Sequence, residues 1–155
     1  MKHMLPPTPD KNGSELSIGI LVARYNWPIT GATLALTCEE LQRLGVAEHA
    51  ITIQSVPGSF ELPLLAQTML QSKRYDALIC IGCVMKGETR HDVIVSDATA
   101  QGLMRLALDY QRPVILGVMC AETQAQAEAR IERGIEYARA AVEMARTQQH
   151  LLHNK

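Results

Sequence analysis

The sequence predicts an α/β fold in which one four-stranded parallel sheet lies between two layers of helices. Three observations predict it. Short apolar runs at 16–23, 50–56, 76–84 and 113–119 alternate with longer segments of helical periodicity. The last two runs, DALICIGCV and PVILGVM, are apolar throughout, as strands covered on both faces are. The connections leave room only for compact crossovers, each expected to be right-handed.

The elements follow in order. MKHMLPPTPDKNG has three prolines and no apolar run ahead of a cleavage site, so residues 1–15 read as a flexible or extended arm rather than a signal peptide. LSIGILVA forms the first strand. Pro28, Ile29 and Thr30 then open a helix whose face carries Leu34, Cys38, Leu41 and Leu44, closed by Gly45. AITIQSV, rich in β-branched residues, is the second strand and runs into the turn Pro57-Gly58. Glu61 to Leu70 reads as a helix with Pro63 in its tolerated first turn. After the third strand a polar segment, 86–92, precedes a helix expected from about Val95 to Tyr110. After the fourth, a single long helix is expected from about Thr123 to Gln149. One domain over 16–149, with a short tail at 150–155, accounts for the chain.

Composition narrows the function. The chain has 155 residues, 47% hydrophobic and 20% charged, which is globular; with one Phe and one Trp, its core must be aliphatic. Fifteen basic against sixteen acidic residues, without blocks, give no footprint for nucleic acid or a membrane surface. No run of apolar residues is long enough to span a bilayer, so a soluble, cytoplasmic protein is expected. Cys80 and Cys83 have the C-x-x-C spacing of a metal site, but a strand would point them to opposite faces. With no second pair, all four cysteines are expected to be buried small hydrophobes and no metal is expected.

Ligands of such folds sit beyond the carboxyl ends of the strands. That rule gathers Arg24 to Trp27, Pro57 to Glu61 and Met85 to Asp92 at one edge of the sheet. His91, placed at a strand end among polar residues, can pass protons both ways near neutral pH, or can simply be a surface or capping histidine. Gly87-Glu88-Thr89 ahead of a helix suits an anion, with Glu88 contributing its N–H rather than its carboxylate; an ordinary loop reads equally well. Arg130 and Arg133, one turn apart on the expected last helix, could present a guanidinium fork or a solvated face, and Lys86 shares the ambiguity. Tyr25 and Trp27 flank Asn26, one ring free to stack on a planar heterocycle. In VPGSFELP the N–H groups of Ser59 and Phe60 and the carboxylate of Glu61 would suit a polyol, or merely turn a corner. No GxGxxG or P-loop occurs.

Taken together these strings resemble the 6,7-dimethyl-8-ribityllumazine synthase family. VPGSFELP at 56–63 resembles its VPG-[AS]-[FY]-E-[IL]-P signature, and GCVMKGETRHD at 82–92 its G-x-V-I-x-G-E-T-x-H element. RYN at 24–26 resembles its aromatic-Asn pair; PVILGV at 113–118 and QAEAR at 126–130 are similar to its PV-x-x-G-V and QA-x-x-R. The similarity spans about Ile18 to Met144.

The resemblance implies a flavodoxin-like three-layer sandwich, with room for an additional strand from the N-terminal arm. It implies homo-pentamers, or multiples of them up to icosahedral shells, with sites between subunits and no cofactor. It implies condensation of 5-amino-6-(D-ribitylamino)uracil with 3,4-dihydroxy-2-butanone 4-phosphate in riboflavin biosynthesis. By that likeness Tyr25 stacks on the pyrimidine and Asn26 orients the substrates. Gly58, Ser59, Phe60 and Glu61 hold the ribityl chain, and Val84 and Met85 meet the ring. Lys86, Glu88 and Thr89 attend the phosphate, His91 carries protons, and Arg130 from the adjacent subunit clamps the phosphate. Leu116 stands where many bacterial members have phenylalanine, and Arg133-Gly134 is what remains of a longer join, as in archaeal-type members. Leu116 motivates one alternative, a relative acting on another diamino-heterocycle; a second is a non-catalytic flavin- or lumazine-binding shell protein that kept the fold.

Overall fold

A computed structural model describes residues 4–153; the outermost three residues of the arm, His3 among them, and the last two of the tail lie outside the described residues. The strands are β1 (Ile18–Ala23), β2 (Ile51–Val56), β3 (Ala77–Met85) and β4 (Val114–Ala121). The helices are α1 (Trp27–Arg43), α2 (Leu62–Gln71), α3 (His91–Tyr110), α4 (Gln124–Ala129) and α5 (Arg133–His153), with 3-10 turns at Glu48–Ala50 and Ser59–Glu61. All pairings are parallel, in the order β2-β1-β3-β4. The chain therefore reverses direction across the sheet at β1, so a crevice opens beyond the carboxyl ends of β1 and β3. This is the predicted flavodoxin-like sandwich. In the single chain residues 6–12 run over the surface without pairing to the sheet.

Alternation along the strands builds two apolar layers. Ile18, Ile20, Val22, Ile79 and Ile81 face Leu41 of α1 and Ala138, Ala141 and Val142 of α5. Leu21, Leu78 and Cys80 face Leu62 and Ala66 of α2 and Leu103 and Leu106 of α3. Cys80 and Cys83 fall in different clusters on opposite faces, as the strand period requires; burial pushes the Cys80 thiol up to about 12. α5 lies close on α1 because Gly134 has no side chain: a Cβ there would come within 2.6 Å of the Thr33 carbonyl. Thr37 Oγ1 bridges the two helices, donating 2.9 Å to the Gly134 carbonyl.

Four expectations are corrected. α3 begins at His91, not near Val95: the His91 N–H is taken by Thr89 Oγ1 at 3.3 Å and Asp92 suits the positive helix start. The β-branched run Val93-Ile94-Val95 concealed that turn. The long final helix is two helices, because Arg130 to Ile135 tighten into three-residue hydrogen bonds, and no glycine or proline inside residues 130–132 advertises the break. β4 is not covered on both faces. It is an edge strand, and Leu116 and Cys120 are exposed on it, so Cys120 is not a core residue. Cys38 is only partly buried.

Charged groups fasten the frame at the end away from the crevice. Arg146 of α5 donates to the carbonyls of Asn12 (2.7 Å) and Ser14, and His150 meets Asp10 at 2.9 Å, so the inner end of the arm is tied to α5. Glu40, 6% exposed on α1, receives both Nε and Nη2 of Arg43 at 2.6 Å and Nε of Arg139 at 2.7 Å. Arg43 first, then Arg139, hold its carboxyl down at about 2 against the opposing effect of burial. A depressed folded-state pKa stabilises above the unfolded carboxylate's value, and the stabilisation is lost as pH falls through the folded value. Glu40→Gln is therefore expected to cost about 1–3 kcal/mol at pH 7. Denaturant melts should show the gap closing between roughly pH 4 and pH 2; a gap independent of pH would contradict this role.

Candidate active site

The crevice at the β1–β3 switch is a cavity of about 500 Å³. It is lined by the β1–α1 corner (Tyr25, Asn26), the β2–α2 turn (58–61), the end of β3 (Cys83 to Met85) and the first turn of α3 (His91, Ile94, Val95). Register explains the opening. β1 pairs with β2 as far as Ala23↔Val56, but with β3 only as far as Val22↔Ile81. Beyond that point Arg24 N and Tyr25 N donate to the Pro57 carbonyl, so the end of β1 stays with β2 and parts from β3.

Asn26 spans the parting. Its backbone is left-handed (φ 63°), which asparagine tolerates better than most side chains, and its Nδ2 donates 2.8 Å to the Cys83 carbonyl. The adjacent Tyr25 ring lies over Gly58, where a Cβ would come within 2.6 Å of Cδ2. Gly58 is extended, so the demand for glycine is that close approach and not its backbone angles. Trp27 turns the other way and covers Gly31 on its own helix.

The Ser59–Glu61 turn is set by its own ends. Glu61 Oε1 accepts the Gly58 N–H at 2.9 Å, so one carboxylate oxygen is committed to the turn and the other remains for a ligand. The N–H groups of Ser59 and Phe60 open a 3-10 turn and so lack helical acceptors. Phe60 is 58% exposed and Ser59 buried. One wall thus offers two amide donors and a carboxylate oxygen beside two exposed aromatic rings. The opposite wall offers the His91 imidazole at a helix N-terminus.

A second cavity, about 530 Å³, lies on the other side of the first turn of α3 and is lined by Asp92, Val93, Lys86, Cys120, Gln126 and Arg130 among others. Arg130 donates Nη1 to the Cys120 carbonyl, which aims the guanidinium along the end of β4. Lys86 Nζ is 3.5 Å from Glu122. The chain therefore brings together Tyr25, Asn26, Gly58 to Glu61, Val84, Met85 and His91, and keeps Arg130 and Lys86 apart from them across α3. Glu88 and Thr89 stand exposed just before α3; a Cβ on Gly87 would meet only open space. Arg133 starts α5 and faces a cleft with Glu132, Glu136 and Arg139, so the expected fork with Arg130 is not formed. Leu116 is half exposed on β4 and lines neither cavity.

Cys83, Ile94 and Val95 line the first cavity although the sequence did not single them out. For the last two the missing signal was the helix start: with His91 as its first residue, the i+3 and i+4 positions fall on the same face.

The sequence profile of the 6,7-dimethyl-8-ribityllumazine synthases matches residues 15–149. The chain belongs to the 6,7-dimethyl-8-ribityllumazine synthase family. A 6,7-dimethyl-8-ribityllumazine synthase of Acidovorax sp. is 48% identical over 141 residues, covering 89% of this chain and 91% of that protein. Those of Polaromonas sp. (46% over 135 residues, 86% and 88%) and Chromobacterium violaceum (44% over 138 residues, 88% and 89%) are similar throughout the same region. Within this lumazine synthase fold, Gly58→Ala is expected to swing the Tyr25 ring off the turn and cost about 1–3 kcal/mol by overpacking. A thermal melt and a crystal structure would check it; an unmoved ring would contradict the contact.

Proposed function

We propose that this chain condenses 5-amino-6-(D-ribitylamino)uracil with 3,4-dihydroxy-2-butanone 4-phosphate, forming 6,7-dimethyl-8-ribityllumazine and releasing phosphate and water. One observation carries the reading: an exposed tyrosine ring, a turn with spare amide donors and a helix-end histidine line a single cavity in a chain of this family. The flat pyrimidine rests on Tyr25, and the ribityl hydroxyls meet the Ser59–Glu61 turn. Val84 and Met85 offer backbone groups to the ring edge.

The chemistry follows from those positions. The 5-amino nitrogen attacks the ketone carbon, and loss of water from the carbinolamine gives an imine. A proton then leaves the hydroxyl-bearing carbon as the phosphate departs with its bonding electrons. The resulting enol takes a proton on its methylene to become a methyl ketone, and the ribitylamino nitrogen attacks that carbonyl to close the second ring with loss of a further water. No electrons are gained or lost overall, so the reaction calls for no electron acceptor. His91 takes and returns protons, a role worth roughly 10²–10³-fold. Holding both reactants at one site supplies much of the rest, since effective molarities of about 10⁵ M or more are attainable.

The phosphate needs a cation, and the same chain's Arg130 is on the wrong side of α3. A second copy supplies it: Arg130 of one subunit reaches the phosphate beside Glu88 and Thr89 of the next, with its Leu116 near the ring. Exposed Tyr25, Phe60 and Ile94 around the cavity and Met104 and Leu108 farther along α3 are the apolar surface such a neighbour covers. A homo-pentamer, or a multiple of it, in the cytoplasm is the form this reading assigns.

Incubation with both substrates, monitored for the lumazine chromophore, tests the activity. His91→Ala is expected to slow turnover about 10²-fold, and Arg130→Ala to raise KM for the phosphate-bearing ketone. Co-expressed together and assayed at ketone concentrations well below the raised KM, the two impaired chains should recover wild-type sites at roughly a quarter of the interfaces, those where neither substitution falls. No recovery in mixed oligomers would place Arg130 outside the shared site.

A further inference from the structure

Ser59 is gripped from two directions by residues outside the cavity lining. Its carbonyl accepts a hydrogen bond of 3.2 Å from Thr99 Oγ1 on α3. Its side chain lies on the backbone of Gly82 in β3, where a Cβ would come within 2.3 Å of Ser59 Oγ. Thr99 is completely buried and stands two turns along α3 from His91, about 12 Å down the helix axis. One hydrogen bond therefore fixes the amide donors of Ser59 and Phe60 relative to the helix whose first residue is His91. The same carbonyl also accepts the Leu62 N–H inside its own turn, so Thr99 supplies the bond that ties the turn to α3, and removing the donor frees the turn to shift against that helix.

We infer that Thr99 is a positioning residue for the polyol end of the site. It does not touch substrate. Its hydroxyl holds the Ser59–Phe60 turn in the orientation that receives a ribityl chain, and so sets the preference for ribityl-bearing ligands over ligands without one. The inference rests on the lumazine synthase reading of the cavity. Valine matches the size and β-branching of threonine and lacks only the donor; serine keeps the donor and lacks only the methyl.

The test compares wild type, Thr99→Val and Thr99→Ser in two assays. Turnover is measured with both substrates, and binding by titration with 6,7-dimethyl-8-ribityllumazine and with 6,7,8-trimethyllumazine, which has no polyol. Thr99→Val is expected to raise KM for the ribitylamino-uracil roughly tenfold with kcat within about twofold. It should weaken the ribityl ligand by a similar factor and leave the trimethyl ligand unaffected, and Thr99→Ser should restore wild-type values. Unchanged KM and binding in Thr99→Val overturns the inference. So does equal weakening of both ligands, which would mean a general loosening of the fold. If the valine variant does not fold, Thr99→Ala, which cannot overpack, carries the same comparison. Wild-type protein that forms no lumazine refutes the proposed reaction instead, while the two titrations still decide the role of Thr99.

Discussion

Everything at the crevice hangs on how β1 ends. Its ladder to β3 stops at Val22↔Ile81 while its ladder to β2 runs on through Ala23, so the sheet splits along one line. A split sheet exposes backbone groups that must be satisfied. Asn26 satisfies the Cys83 carbonyl with its side-chain amide and uses a left-handed backbone to turn directly into α1. That single bond sets the width of the gap. Because Tyr25 is the preceding residue, it also sets where the ring lands on Gly58.

The remaining walls are positioned by rigid elements, which makes the site more exact than loops alone would. The β2–α2 turn is closed by Glu61 on Gly58 and braced by Thr99 of α3, so two layers of the fold agree on one orientation. At the opposite end, the Glu40 cluster and the Thr37–Gly134 contact hold α1 against α5. The strand ends can therefore part without the layers sliding. Stability is concentrated away from the crevice, and the crevice keeps the exposed aromatic rings and the amides without helical acceptors.

Much of this was legible in the residues, and the exceptions have physical causes. Apolar runs located all four strands: the central β1 and β3 are covered on both faces, and the edge strands β2 and β4 keep enough β-branched and aliphatic residues to read the same way. The rule about strand ends collected Tyr25, Asn26, Ser59 to Glu61, Met85 and His91, which line one cavity, together with Lys86, Glu88 and Thr89, which do not; Val84 came from the family resemblance alone. The start of α3 was missed because Val93-Ile94-Val95 reads as β while a threonine hydroxyl two residues before His91 starts the helix. The break after Ala129 was missed because the tightening to three-residue hydrogen bonds there carries no glycine or proline at 130–132, and the Gly134 contact with Thr33, about a hundred positions away, has no local signal. Edge exposure of Leu116 and Cys120 depends on strand order, which no local pattern encodes. Thr99 carries no local signal in the sequence; only the fold places it against Ser59.

The separation of His91 from Arg130 by the first turn of α3 bears on evolution of the site as much as on catalysis. On the proposed reading, His91 as acid–base group and Arg130 as anion clamp sit on the same chain but face opposite ways, and cannot cooperate in a monomer. On the shared-site reading they cooperate automatically in any ring of like-oriented copies, since each subunit presents a cavity on one side and an arginine on the other. On that same reading, association would cover the rings of Tyr25 and Phe60, exposed in the single chain, and exclude water from the reacting atoms in the same event. Activity becomes linked to assembly by mass action, so a substitution that only weakens the interface would lower turnover on dilution while leaving the fold of each chain intact.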